Sequence, residues 1–91
     1  MSLRRADIRV TGFVQGVLFR QGVKKVAEKL RLMGFVKNEE DGSVKIVAEG
    51  EEEALQKLIE WAKLGTEFSQ VEKVEVERGE AKGEFKDFEI Q

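Results

Sequence analysis

The spacing of apolar residues along this chain changes twice from a period of two to a period near 3.6 and back. A period of two is typical of a half-buried strand, whereas 3.6 is the period of an amphipathic helix. The pattern therefore predicts the element order β-α-β-β-α-β, followed by a short terminal strand. Because a chain of 91 residues holds one hydrophobic core, we expect residues 1–91 to form a single domain.

Strands are predicted where apolar residues alternate with charged ones. In the first strand Ile8 and Val10 face one way, and Asp7 and Arg9 face the other. The pair Asp41-Gly42 is a hairpin signal that joins the second strand to the third. The third strand alternates so that Glu49 lies on the side opposite its apolar residues. The five predicted strands lie at residues 5–13, 35–38, 43–50, 71–76 and 88–90.

Each of the two predicted helices carries one apolar stripe. The first spans residues 20–32 and is ended by Gly34, and the second spans residues 51–64 and is followed by Gly65. The stripe residues are Val23, Val26, Ala27 and Leu30 in the first helix and Leu55, Leu58, Ile59 and Ala62 in the second. This pattern predicts an α+β fold, the ferredoxin-like two-layer sandwich, with two helices on one face of a mixed, mainly antiparallel sheet.

The composition excludes several classes of function. The chain has no cysteine and no histidine, which removes Ser–His–Asp hydrolysis, Cys–His proteolysis and ordinary zinc catalysis. The net charge of -2 argues against a nucleic-acid binder that relies on a basic surface. No apolar run approaches the roughly 20 residues of a membrane span, and no signal peptide opens the chain. We therefore expect a cytoplasmic protein, monomeric, with no metal, no cofactor, and neither nucleic acid nor membrane as partner.

The segment between the first strand and the first helix contains Gly12 and Gly16, four residues apart, and leads to Arg20. The glycines allow a sharp turn and close approach of a ligand to the main chain. The helix that follows points its free N–H groups and the positive end of its dipole into the loop. These features together favour a tetrahedral oxyanion such as phosphate, bound between the loop amides and the Arg20 guanidinium. Alternatively, Arg20 points into water and the glycines serve only the turn.

Asn38 is the only asparagine of the chain and lies at the end of the second strand. Asparagine is common at such exits, so a turn role accounts for it. Its carboxamide, which carries a donor and an acceptor, is also suited to orienting a water molecule.

Two motifs of this sequence resemble those of acylphosphatases, over about residues 8–90. The first motif is the loop from Gly12 to Arg20, in the pattern G-x-V-Q-G-V-x-F-R. The second runs from Gly34 to Val44, in the pattern G-[aromatic]-V-[basic]-N-x-x-D-G-x-V. Two positions at which the family often has glycine carry larger residues here, Leu18 and Arg31.

The resemblance implies an enzyme that hydrolyses an acyl phosphate, a carboxyl-phosphate mixed anhydride, to a carboxylate and orthophosphate. It implies that Arg20 and Asn38 are the catalytic residues and that Asn38 positions the attacking water. It also implies which residues hold the substrate phosphate, through their backbone amides and the Arg20 side chain: Gln15, Gly16, Val17, Leu18, Phe19 and Arg20. The carboxylate leaving group needs no proton donor, because its pKa is near 4.

Two other functions are compatible with the same sandwich. One is a non-catalytic or regulatory module that binds a small anion, which would bind phosphate without turnover. The other is an RNA-binding domain, which the acidic balance and the absence of aromatic residues in the third strand disfavour.

Overall fold

A computed structural model describes residues 3–91 as a mixed five-stranded sheet with two helices packed on one face. The strands are β1 (Leu3–Phe13), β2 (Met33–Asn38), β3 (Val44–Glu51), β4 (Gln70–Glu80) and β5 (Phe88–Ile90), and the helices are α1 (Phe19–Lys29) and α2 (Glu52–Leu64). The strand order is β4-β1-β3-β2-β5, and among these pairs only β2 and β5 are parallel. The predicted ferredoxin-like sandwich is confirmed.

The core lies between the sheet and the helices. Ala6, Ile8 and Val10 of β1 are buried, as the alternation predicts. The stripe of α2 is fully buried, and α1 buries Val23 and Ala27 completely. This packing fixes the start of α1 directly beyond the end of β1, so the loop between them is held at one edge of the core.

Helix α1 ends at Lys29 rather than at residue 32. Arg31 adopts a left-handed backbone with φ of 61°. Its N–H group donates to the carbonyl of Glu28 at 3.1 Å, and the N–H group of Leu32 donates to the carbonyl of Ala27 at 2.8 Å. This is a Schellman motif, in which glycine is the usual left-handed residue. The prediction that Gly34 ends the helix was wrong, since Arg31 ends it and Gly34 already lies in β2.

Glu49 lies on the predicted face of β3, the one that the helices do not cover, but its side chain is buried there. Its carboxylate accepts hydrogen bonds from the backbone N–H groups of Lys82 and Gly83, at 2.8 and 3.0 Å. Arg5 lies 3.3 Å from the same carboxylate. Burial alone would raise the pKa of Glu49, but these hydrogen bonds and the charge of Arg5 outweigh it and hold the pKa below its usual value. The carboxylate thus fixes the segment between β4 and β5 to the sheet.

We expect Glu49→Gln to reduce the free energy of unfolding at pH 7 by about 2 kcal/mol, because charge-assisted hydrogen bonds to a buried acceptor are lost. A carboxyl whose pKa is lowered by folding stabilises the protein above its unfolded pKa of about 4.3, and this contribution is lost as pH falls through the folded pKa. Urea unfolding at pH 7 and at pH 3 should therefore show a smaller difference between variant and wild type at pH 3. The matched control is Glu89→Gln, at an exposed side chain of β5, and an equal loss at both pH values would contradict the prediction.

Candidate active site

The loop between β1 and α1, residues 14–18, is here called the cradle loop. It starts after an irregularity in the β1–β4 pairing at Thr11 and Gly12, and Gly16 turns the chain with φ of 74°. Within residues 3–91, the backbone N–H groups of residues 15–18 donate no hydrogen bond to a backbone carbonyl or side chain. They lie beside the first turn of α1, whose own N–H groups have no intrahelical partner. The cradle loop can therefore bind an anion without giving up an existing hydrogen bond.

Leu18 is the residue that immediately precedes α1. It has left-handed φ and ψ of 66° and 19° and makes no side-chain capping hydrogen bond. This conformation costs a residue other than glycine about 1–2 kcal/mol. Its backbone turns the cradle loop into the helix, and its side chain remains 56% exposed.

A cavity of about 150 Å³ lies at the cradle loop and the start of α1. Since a water molecule occupies roughly 30 Å³ in the liquid, this volume suits a small anion with a few waters. The residues that line it are Val14, Gly16, Leu18, Phe19, Arg20 and Gln21.

Arg20 lies in the first turn of α1 and lines this cavity. Its Nη1 atom is 3.4 Å from the backbone oxygen of Gln91, a long hydrogen bond. No Asp or Glu side chain within residues 3–91 lies within 4 Å of its guanidinium. A cation at the positive end of a helix is unfavourably placed, and a bound anion would remove that conflict.

The Gln15 side chain connects the cradle loop to the turn that follows β2. Its Nε2 atom donates to the carbonyl oxygens of Glu39 at 2.8 Å and Ser43 at 2.9 Å. Both N–H groups of the carboxamide are thereby used, so Gln15 can offer a ligand its backbone amide. The sequence places Gln15 in the phosphate loop but gives no sign of this long-range connection.

Asn38 lies at the end of β2, next to the residue that Gln15 binds. It does not line the cavity. Its Oδ1 atom is buried, and within residues 3–91 it has no hydrogen-bond partner. An unpaired buried carbonyl oxygen is costly, which makes this atom a strong candidate acceptor for a water molecule.

Buried apolar residues of the cradle loop, together with the first residue of α1, anchor the loop to the core. Val14, Val17 and Phe19 are buried, and the Phe19 ring packs against Trp61 of α2 with a centroid distance of 5.4 Å. The Thr66 hydroxyl donates to the carbonyl oxygen of Val17 at 2.9 Å. Thr66 is a positioning residue that the sequence analysis missed, because its partner is 49 residues away along the chain.

A larger hollow, of about 850 Å³, lies on the uncovered face of the sheet. Its charged lining is mostly acidic and includes Glu39, Glu40, Asp41, Glu75 and Glu77. Hydrogen bonds from the hydroxyl and backbone N–H of Ser43, with the nearby Arg9, keep the pKa of Asp41 below its usual value. Such a surface repels a phosphate anion, so the smaller cavity is the better candidate.

Comparison with known families identifies the family of the chain. The family model for acylphosphatase matches residues 6–90. The chain belongs to the acylphosphatase family. An acylphosphatase of Pyrobaculum aerophilum is 46% identical over 91 residues, covering 99% of this chain and 96% of that relative.

Solved structures agree with the family assignment. The acylphosphatase from Bacillus subtilis is similar with a TM-score of 0.93 and 42% identity, covering 97% of this chain and 98% of that one. The acylphosphatase from Coxiella burnetii has a TM-score of 0.88 and 37% identity, covering 99% and 94%. The chain is accordingly an acylphosphatase, a hydrolase whose substrate is a small acyl phosphate and whose product is phosphate. The non-catalytic alternative is not favoured.

Proposed function

We propose that this acylphosphatase holds the phosphoryl group of its substrate in the cradle loop and attacks it with a water bound to Asn38. The amides of residues 15–19 and the Arg20 guanidinium bind the phosphoryl oxygens. The observation that carries the proposal is the buried Oδ1 atom of Asn38, which has no partner within residues 3–91 and belongs to the strand end that Gln15 of the cradle loop contacts through Glu39.

The reaction is a displacement at phosphorus. The water oxygen forms a bond to phosphorus while the bond from phosphorus to the acyl oxygen breaks, and the carboxylate leaves with the electron pair. The attacking water donates a hydrogen bond to the Oδ1 atom of Asn38 but transfers no proton to it. One of its protons stays on the oxygen that becomes bonded to phosphorus, and the other goes to solvent or to another oxygen of the phosphate formed. Because a carboxylate is a good leaving group, no protein group has to protonate it.

Positioning and charge stabilisation are what the protein supplies. Charge on the three phosphoryl oxygens faces fixed N–H dipoles and the guanidinium, which need no reorganisation during the reaction. The Gln15 bonds to Glu39 and Ser43 hold the strand end that carries Asn38 against the loop. A water on Asn38 is therefore oriented relative to the bound phosphorus.

We expect Asn38→Ala to lower kcat for benzoyl phosphate by about 100-fold while changing the inhibition constant of inorganic phosphate less than threefold. The water loses its orienting group, whereas the cradle loop and Arg20 are unchanged. Steady-state kinetics with phosphate as competitor measure both quantities. Glu40→Ala, at an exposed residue of the same turn, is the control, and normal turnover in Asn38→Ala would disprove the role of Asn38.

The cellular context of the enzyme stays a prediction. We propose a cytoplasmic monomer that forms one domain over residues 1–91 and acts without nucleic acid, metal or cofactor. No helix within residues 3–91 has the length and apolar character needed to cross a membrane. Analytical ultracentrifugation tests the monomer.

A further inference from the structure

The Leu18 side chain occupies an unusual place for a large apolar group. It lines the cavity together with Arg20, and more than half of it is exposed. A leucine in a left-handed conformation is strained, and burial in the core does not offset the strain here. Strain of this kind is often retained where a side chain meets a ligand.

Two exposed aromatic residues lie in segments next to the cradle loop. Phe13, the last residue of β1, is 62% exposed, and Phe68 is 56% exposed. Phe13 pairs with Gln70 in the sheet, and Thr66 binds the carbonyl of Val17. These contacts hold the segment that carries Phe68 against the loop. Neither ring lines the cavity, but exposed apolar groups on segments that adjoin a polar site are typical of a ligand-binding surface.

Resting on the proposed function, we propose that Leu18 is a specificity-determining residue whose side chain contacts the acyl group of the substrate. With the phosphoryl group held by the cradle loop and Arg20, the acyl group leaves the cavity where Leu18 lines it. The enzyme therefore favours acyl phosphates with an apolar, preferably aromatic, acyl group over those with a short one. Apolar contacts of this size change kcat/KM by roughly 10-fold.

The test compares kcat/KM for benzoyl phosphate and acetyl phosphate in wild type, Leu18→Gly and Leu18→Asn. Glycine and asparagine both tolerate the left-handed backbone, and both remove the apolar side chain. We expect the benzoyl-to-acetyl ratio of kcat/KM to fall roughly 10-fold in both variants. The inhibition constant of inorganic phosphate, measured in each variant, reports any change in the amides of the cradle loop separately from the substrate ratio.

Arg31→Gly is the matched control. It relieves a left-handed backbone at the opposite end of the same helix, outside the cavity. The substrate ratio in this variant should equal that of wild type.

The outcomes distinguish a failure of the proposed role of Leu18 from a failure of the proposed function. If the Leu18 variants hydrolyse both substrates with the wild-type ratio, or lose both activities by the same factor, Leu18 does not select the acyl group. If wild type hydrolyses neither substrate, the proposed function itself fails.

Discussion

Arg20→Ala should reduce kcat/KM for benzoyl phosphate by at least about 1000-fold and weaken phosphate binding by more than about 10-fold. A guanidinium that binds two phosphoryl oxygens forms strong charge-assisted hydrogen bonds, and its contribution grows as charge develops in the transition state. The fold should be unaffected, because the contact of Arg20 with Gln91 is long and exposed.

Thermal unfolding with and without phosphate measures the binding effect separately from catalysis. A ligand that binds only the folded state raises the melting temperature. Phosphate should therefore raise the melting temperature of wild type and leave that of Arg20→Ala almost unchanged. Arg20→Lys keeps the positive charge but loses the planar guanidinium that can bind two oxygens. We therefore expect its kcat/KM and its phosphate affinity to lie between those of wild type and Arg20→Ala. If kcat/KM of Arg20→Ala were within 10-fold of wild type, the proposed role of the guanidinium in the reaction would be wrong.

Gly12→Ala should be the most destabilising small substitution near the site. Gly12 has φ of 125°, and a Cβ atom there would lie 2.2 Å from the carbonyl oxygen of Gln70 and 2.8 Å from the amide nitrogen of Glu72. Both are backbone atoms of β4 and cannot move without breaking the pairing with β1. Strain and overpacking together should lower the free energy of unfolding by about 3 kcal/mol or more. In a domain of this size that corresponds to a melting temperature roughly 10–20 °C lower.

Gly79→Ala is the control for this prediction. Gly79 lies in β4 opposite Arg5, and a Cβ atom there would meet nothing within 4 Å. The melting temperature of Gly79→Ala should stay within a few degrees of that of wild type. Equal stability of Gly12→Ala and Gly79→Ala in urea would show that the β1–β4 contact at Gly12 is looser than described.

The fold could be predicted because the buried residues follow local periods. The alternation of Ile8 and Val10 and the stripe of α2 each identify the face that meets the core. Glu49 lies on the predicted face, but its burial was not predicted because a distant segment, which includes Lys82 and Gly83, covers that face of β3. The end of α1 was missed because Arg31 takes a backbone conformation that sequence patterns assign to glycine.

The candidate site was predictable in part. Arg20 and Asn38 stand out from the sequence as a cation at a helix start and a lone asparagine, and the motifs indicate the loop that we propose binds phosphate. The Gln15 connection and the Thr66 contact join residues far apart along the chain, so no local pattern reveals them. The strained backbone of Leu18 is likewise a property of the folded loop.

The position of β1 between β3 and β4 has a consequence for synthesis on the ribosome. The strand that leads into the cradle loop acquires its second neighbour only when residues 70–80 have emerged, and Thr66 reaches Val17 no earlier. Pairings between distant segments form late and slowly. The nascent chain thus carries the cradle loop near its beginning, but the contacts that hold this loop in place form among the last events of folding.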